Sequence, residues 1–480
     1  MFEPTRTRRQ GRLLVLLAGL ILLVAVIVSG IGSGGGAPVR SPPAGRPAAE
    51  ARGAAIFSYA PAAAAQYVAR ATAGNALPLF TMSPGGATAT AARVAAYRPL
   101  IDRATAGTAI SPTLLEGLVF VESAGRPQVI AGSDPADAAG LTQILAATGQ
   151  ALLGMHINLA RSRRLTAEID GVQAGTRRGR LSALLAERAA ADPRFDPTRE
   201  LAATVRYLEM AESRFGRQDL AFESYHMGMG NLQQVLDDYD GGRAVPYVQV
   251  YFDSTPTRHA ASYRLLAGFG DDSELYYWRI LGAVQIMHLY RTDRGALTRL
   301  SGLETDDDAG AAVLHPRLAM SGYAGPAAVS AAYRSRQLVP LPSNAAALGV
   351  DVLPGMGEGA RQVGAPSALY RGLRRVALRA LIAMAGQVRA LSGGAAPLRL
   401  ASTVMDDRYQ QRLLGGVYPP AATGYSFAIE RSYTGAAQAE AFQAVLDRLA
   451  SLDLIAWARE PTVIQVTVAS DAAAWLGRGG

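Results

Sequence analysis

Hydrophobic positions along this chain change period several times, and each change marks a different kind of element. Leu13 to Ile31 is apolar without any period and carries no charge. Arg6, Arg8, Arg9 and Arg12 stand just before it. A run of nearly ~20 apolar residues suits a bilayer-spanning helix, and arginines on one flank only put that flank in the cytoplasm. Residues 1–12 are therefore expected to form a cytoplasmic basic tail and residues 13–31 an N-terminal transmembrane helix. A cleaved signal peptide is the other reading, because Ser29-Gly30-Ile31-Gly32 is small and flexible. Residues 32–60 are rich in glycine, proline and alanine and read as a flexible linker. Residues 61–93 are alanine-rich and give no clear period.

A helical period begins at Ser111-Pro112. Serine is a good N-cap, and proline fits the first helical position. The run from Thr113 to Glu122 follows, with Leu115, Leu118 and Glu122 on one face at spacings of three and four. Further helical runs are expected from Leu201 to Phe215 and from Ser273 to Tyr290. In the second of these, Trp278, Ile280, Val284, Met287 and His288 are spaced for packing, and His288 is read as a core or boundary residue. Residues 301–365 are rich in glycine, proline and alanine, include the acidic turn Thr305 to Asp308, and read as an extended connection. Leu338 to Pro342 are expected to pack on the first domain.

Near Pro366 the pattern changes again. Ser367 to Leu391 reads as an amphipathic helix, Leu398 to Val404 as a strand, Tyr425 to Ile429 and Thr462 to Val468 as further strands, and Ala437 to Leu452 as a helix. This alternation is of α+β type. The expected fold is a mainly α domain at 61–300, a smaller C-terminal α+β domain at 366–480 and the N-terminal transmembrane helix. No internal repeat is evident.

Composition narrows the chemistry. The 480 residues contain no cysteine, which excludes disulfides and thiolate zinc sites. Net charge is +8, and arginine alone supplies the positive side chains. A basic exterior suits anionic wall polymers or membrane surfaces. No nucleic-acid motif accompanies it, so no nucleic-acid partner is expected.

The candidate chemistry lies at Glu122. A carboxyl group held against an apolar wall loses solvation, and its pKa rises. It can then stay protonated near neutral pH and serve as a general acid. Glu122 opens Glu122-Ser123-Ala124-Gly125-Arg126-Pro127. Downstream stand Gly140-Leu141-Thr142-Gln143 and Ser224-Tyr225-His226-Met227-Gly228-Met229-Gly230-Asn231. In order and spacing these three segments resemble the catalytic domain of the soluble lytic transglycosylases, lysozyme-like enzymes that cleave bacterial cell-wall glycan. The resemblance covers roughly residues 94–240. It includes Phe195-Asp196-Pro197 and the run to Phe215.

The resemblance implies a lysozyme-like fold and a membrane-anchored enzyme acting on peptidoglycan glycan strands, with the bulk of the chain outside the cytoplasm. Glu122 would protonate the oxygen linking N-acetylmuramic acid to N-acetylglucosamine. It would then take the proton of the C6 hydroxyl, which closes on C1 to give a 1,6-anhydro sugar. Tyr225 would orient the Glu122 carboxyl through its hydroxyl, so Glu122 and Tyr225 are the expected catalytic residues. Ser123, Gln143, His226 and Asn231 would bind substrate, with no metal or cofactor. The chain departs from the family at Thr142, which replaces a methionine, at His226, which replaces an asparagine, and at Met227, which replaces a small residue. All three are expected at the groove. Hydrolytic glycosidases use a second carboxylate, for which Asp134, Asp137 and Glu223 are the candidates. Extra length at 161–190 carries Arg161, Arg163, Arg164, Arg177, Arg178, Arg180 and Arg188, either as a solvated hairpin or as a basic wall of the groove. A hydrolytic muramidase and a non-catalytic wall-binding protein are the alternatives.

Residues Leu398 to Val468 resemble zinc D-alanyl-D-alanine carboxypeptidases with the metal site lost. The segments are Ser402-Thr403-Val404-Met405-Asp406-Asp407-Arg408-Tyr409-Gln410, Ala421-Ala422-Thr423-Gly424-Tyr425-Ser426-Phe427-Ala428-Ile429, and Gln465-Val466. The family's ligand positions would be Ala421, Ala428 and Gln465. Alanine offers zinc no ligand atom, and glutamine is a poor one. The resemblance implies a pseudo-peptidase that could still hold stem peptides. An unrelated packing domain is the alternative.

Overall fold

The computed structural model describes residues 59–173, 178–305, 313–314 and 321–476. The basic tail, the expected membrane helix at 13–31 and nearly all of the linker lie outside these residues. Among the described residues, no helix is long and apolar enough to cross a membrane. The chain forms two compact units, one from Arg126–Tyr207 and the other from Ala51–Gly125 and Leu208–Gly480.

The larger unit opens with helices α1 (Ala64–Gly74), α2 (Ala87–Ala95) and α3 (Pro112–Ser123). The alanine-rich stretch at 61–93, which had no readable period, is thus largely helical. The smaller unit follows. It holds the antiparallel bridges Ile130 to Ala139 and Ala139 to Ile144, then α4 (Leu159–Gln173), α5 (Arg178–Ala191) and the start of α6 (Pro197–Phe215). Helices α4 and α5 close on a small core of Leu165, Ile169, Leu184 and Ala191.

The chain then returns to the larger unit through α7 (Gln218–Met227), α8 (Met229–Asp240), α9 (Tyr247–Asp253) and α10 (Tyr276–Thr292). Helix α10 packs along α3 and also touches α1 and α2. The face it buries includes Tyr276, Trp278, Ile280, Ala283 and Met287. His288 is exposed on the opposite side, not in the core.

The α+β part begins well before Pro366. Strand β1 (Leu338–Pro340) pairs antiparallel with β3 (Gly372–Arg374), and β2 (Val350–Val352) pairs parallel with β4 (Leu398–Ser402). Residues 338–365 are therefore structured parts of this fold rather than an extended connection. Leu338 packs with Val329, Ala332 and Val404 of the same part, not on the first domain. Three-residue strands are too short to show a period of two, so composition alone suggested a connection there.

Helix α11 (Arg375–Ser392) crosses from β2 to β4. Strand β5 (Ser426–Glu430), helix α12 (Ala436–Ser451) and strands β6 (Ile455–Arg459) and β7 (Val463–Val468) complete the sheet. Its order is β2-β4-β5-β7-β6, and all pairs after the first are antiparallel. The inner strand β5 is buried on both faces from Ser426 to Ile429, which fits its lack of apolar–polar alternation. Strand β6, Ile-Ala-Trp-Ala-Arg, went unread because it forms an edge and is mostly half-buried.

The α+β part is not a tethered module. The ring of Tyr67 on α1 meets Trp475 edge-on with centroids 4.7 Å apart. Arg70 pairs with Asp471 at 2.7 Å. The Tyr251 hydroxyl of α9 lies 2.8 Å from Ser451 Oγ, and the Arg448 guanidinium lies 3.6 Å from the Tyr251 ring centroid. A Cβ on Gly74 would stand 2.3 Å from the Ala450 carbonyl oxygen, so α1 touches the backbone at the end of α12.

This packing predicts how fragments behave. Residues 366–480 alone lack β1, β2 and the α1 and α9 cover. They should show no cooperative thermal unfolding by circular dichroism, whereas residues 51–480 should unfold cooperatively.

Candidate active site

Helix α3 begins as its sequence dictates. Ser111 Oγ accepts the Leu114 amide at 3.3 Å, and Pro112 occupies the first turn. Leu115, Leu118, Val119 and Phe120 are buried. Glu116 is also fully buried, and Arg98 and Arg291 both pair with it. The helix stops where Ala124 and Gly125 turn left-handed, with φ of 54° and 71°. A Cβ on Gly125 would lie 2.9 Å from the Val94 nitrogen of α2. Arg93 donates to the Ala124 carbonyl at 2.9 Å. The Ser-Ala-Gly segment thus ends the helix just after Glu122 and fastens it to α2.

The Glu122 carboxyl is densely surrounded. Burial pushes its pKa up from the ordinary 4.5 to about 7, and a hydrogen bond from Tyr276 pulls the other way. The Tyr276 hydroxyl donates to Glu122 Oε1 at 2.5 Å. The phenol that donates here comes from α10, 154 residues along the chain, in addition to the Tyr225 expected from the sequence. Tyr225, half-buried on α7, lies close enough to Tyr276 to help hold its phenol above the ordinary value. A signal for Tyr276 was present in the sequence. It lies four, seven and eleven residues before Ile280, Ala283 and Met287, on the same buried face.

His226 joins this group. Its ring stacks on Tyr276 with centroids 5.1 Å apart and planes 28° off parallel. Its Nδ1 lies 2.9 Å from Ser273 Oγ, and Ser273 donates through Oγ to Asp271 Oδ1 at 2.5 Å. Partial burial of the stacked ring holds the imidazole below its ordinary value.

The other expected site residues are engaged nearby in the chain. Ser123 Oγ donates to the Val119 carbonyl at 3.3 Å, and Asn231 Nδ2 donates to the Met227 carbonyl at 2.9 Å. Met227 is buried rather than facing a groove. Glu223, a candidate second carboxylate, is fully buried. It accepts the Tyr277 amide at 2.8 Å, and burial raises it well above the carboxylate range. That makes it an interior strut and not an open base.

In the smaller unit, Gly140-Leu141-Thr142 is pinned to α6. Glu200 accepts the Leu141 amide at 2.6 Å, the Thr142 amide at 2.7 Å and the Thr142 hydroxyl at 2.9 Å. Thr142 is fully buried and also lies 2.8 Å from Thr204 Oγ1. Its backbone and hydroxyl are thus both tied to α6 inside the unit. Gly140 is obligatory, since its φ is 93° and a Cβ would lie 2.1 Å from the Arg194 carbonyl oxygen. Gln143, with φ of 55°, turns its amide back onto the Gly140 and Val129 carbonyls at 2.8 and 3.2 Å.

Asp134 is held below its ordinary value by hydrogen bonds from Arg163 and the Ala136 amide. Asp137 contributes its carbonyl to Arg194 at 2.9 Å. The arginines favour the solvated hairpin over a basic wall. Arg161, Arg163 and Arg180 pair with Glu187, Asp134 and Glu168. Arg188 is buried, donates to Thr166 and Gln128, and lies 3.9 Å from the Phe195 ring centroid.

The three positions that the carboxypeptidase resemblance would assign to metal ligands lie in the interior of the α+β part. Ala428 and Gln465 are direct cross-strand partners on β5 and β7, and Ala421, on the segment leading into β5, is fully buried. Among the described residues, no group of three or more histidines, aspartates or glutamates could hold a metal ion. The sequence matches no known family description and no curated protein.

Two predictions follow from the carboxyl environments. In Tyr276→Phe the carboxylate loses a donor that favours its charged form, so the Glu122 pKa should rise above about 7. A ¹³C NMR titration of the Glu122 carboxyl reads this directly. Stability should fall by only about 0.5–1.5 kcal/mol.

Second, stability should fall as pH rises from about 5 to about 8. Burial raises Glu122, Glu274 and Glu304 to about 7 and Glu200 to about 8, from 4.5, and Asp453 to about 7, from 3.8. The folded chain thus keeps protons that the unfolded chain has released, and their contribution is complete only below the unfolded values. Melting temperature measured across this range should decline steadily.

Proposed function

We propose that this chain is a peptidoglycan lytic transglycosylase on a lysozyme-like scaffold, anchored to the cell membrane by residues 13–31 and working outside the cytoplasm. The observation that carries the reading is the Glu122 carboxyl. It sits at the end of an apolar helix, rises to about 7 and is oriented by the Tyr276 hydroxyl. Such a group is protonated over much of the neutral range and ready to donate.

As an acid, Glu122 gives its proton to the glycosidic oxygen between N-acetylmuramic acid and N-acetylglucosamine. The C1–O bond breaks, and the electron pair stays with the departing oxygen. The muramoyl C6 hydroxyl then closes on C1 and yields the 1,6-anhydro end. In the expected family scheme the Glu122 carboxylate recovers its proton from that hydroxyl. Tyr276, which donates to the carboxylate, stabilises it between the two steps. No second carboxylate is needed. This agrees with the buried state of Glu223 and the Arg163 pairing of Asp134.

In this reading the α+β part is a pseudo-peptidase fixed beside the helices, where it can engage stem peptides without cutting them.

Digesting purified peptidoglycan with residues 55–480 and weighing the products by mass spectrometry tests the proposal. The expected products carry 1,6-anhydro ends. Glu122→Gln should cut about 10²–10⁴-fold more slowly with its melting behaviour preserved. Reducing ends in place of anhydro ends would indicate a hydrolytic muramidase, and no cutting at all would indicate a wall-binding protein.

A further inference from the structure

His226 is engaged in a way that leaves one ring nitrogen committed and the other free. Asp271 carries a carboxylate, which only accepts hydrogen bonds. The hydroxyl hydrogen of Ser273 therefore goes to Asp271 Oδ1 at 2.5 Å, and the Ser273 amide donates to the same oxygen at 3.1 Å. With its hydrogen spent, Ser273 Oγ can only accept from His226 Nδ1, 2.9 Å away. Nδ1 thus bears the hydrogen of the neutral ring. Nε2 is left as a lone-pair acceptor, because a neutral imidazole has one donor and one acceptor nitrogen. Ser273 is buried, so this lock is shielded, while the stacked His226 ring is partly buried and part of the side chain reaches the surface. The stacked face places the ring one phenol away from the Glu122 carboxyl.

We propose that His226 is the base of this site and divides the proton traffic with Glu122. Glu122 supplies the proton to the leaving oxygen, and His226 Nε2 removes the proton from the attacking C6 hydroxyl. This deepens the proposed glycan cleavage and rests on it, with His226 taking the base role that the family scheme gives to Glu122. The step balances. The C1–O bond to the leaving sugar breaks as its oxygen takes the Glu122 proton, and the O6–C1 bond forms as the O6 proton passes to Nε2. The site is left as a carboxylate beside an imidazolium, and proton exchange with solvent restores both. Asparagine, which usually stands here in the resembling family, has no basic nitrogen and cannot take this part.

The surroundings suit the assignment. The charged groups near the ring are Asp271, Asp272 and Arg279, with Arg279 paired to Asp272 at 2.5 Å. Burial keeps the imidazole below its ordinary value while Glu122 rises to about 7. Between those two limits the acid holds its proton and the base lacks one, so the working form is also the abundant form.

The test compares the parent chain, Glu122→Gln, His226→Phe and His226→Ala in one peptidoglycan-cutting assay across pH, with thermal melts of each. His226→Phe keeps a flat ring against Tyr276 but removes Nε2. Its kcat should fall about 10²–10⁴-fold, and the acid-side decline of kcat/KM seen in the parent should vanish. Added imidazole should raise the rate of His226→Ala. Independently, ¹⁵N NMR of the histidine ring should show hydrogen on Nδ1, and Ser273→Ala should release that preference. A His226→Phe variant that cuts at parental rate, or that slows while keeping the parental acid-side decline, overturns the base assignment and leaves glycan cleavage standing. Hydrogen found on Nε2 does the same. Failure of the parent chain to cut overturns both readings together.

Discussion

The close approach of α3 to α10 is the contact on which the site depends. Gly117 makes it possible: a Cβ there would stand 2.8 Å from the Ile280 carbonyl oxygen and 3.1 Å from the Ile280 and Val284 methyl groups. Backbone cannot rotate away as a side chain can, so the position has room only for hydrogen. With the helices in contact there, five residues onward on α3 lies Glu122, and four residues back on α10 lies Tyr276. The antiparallel register that Gly117 allows therefore brings carboxyl and phenol together. Two opposed effects then act on Glu122. Dense packing removes water and raises its pKa, and the Tyr276 bond lowers it. A hydrogen bond to a charged group contributes about 1.5–3 kcal/mol. Since the net shift is upward, desolvation outweighs it.

The smaller unit solves a different problem by similar means. Its loop from Pro135 to Ile144 has little regular structure, yet its backbone groups are not left idle. The buried Arg194 guanidinium donates to the carbonyls of Pro135, Asp137 and Ile144, and Asp192 balances its charge at 2.7 Å. Glu200 collects the amides of Leu141 and Thr142 from the other side. Burying charge is costly unless every donor and acceptor is met, and here the loop backbone meets them. Thr142 belongs to this arrangement. Its hydroxyl gives Glu200 a further donor.

Local signals were legible in the sequence and partners were not. Ser111 and Pro112 mark the start of α3 because capping is a matter of adjacent residues. The raised Glu122 follows from periodicity, since a carboxyl on an apolar face must lose water. The C-terminal helices and three of its strands are long enough to show their periods. Tyr276 was missed as the donor because periodicity gives the face a residue lies on and says nothing of what lies across from it. The Glu200 partner of Thr142 was equally illegible, since it lies 58 residues away. Strands β1 and β2 escaped because three residues show no period, and β6 because alanine and arginine dilute an edge strand.

The packing of the α+β part on the helical core limits what it can do. From Ser451 at the end of α12, contact passes to Tyr251 on α9 at 2.8 Å, and from Tyr251 to Trp278 on α10 with ring centroids 6.2 Å apart. Trp278 is fully buried, two residues from Tyr276. Arg448 closes over the same aromatic group and donates to the Ser254 carbonyl at 3.2 Å. Interiors packed in this way do not slide freely. A flexible tether would let one part of a chain move independently of the rest. Here the sheet and the helix bearing Tyr276 are parts of one body, so whatever the α+β part holds is held at a fixed place relative to Glu122. If the proposed glycan cleavage holds, recognition through the α+β part would act as a ruler on the glycan and would not merely raise its local concentration.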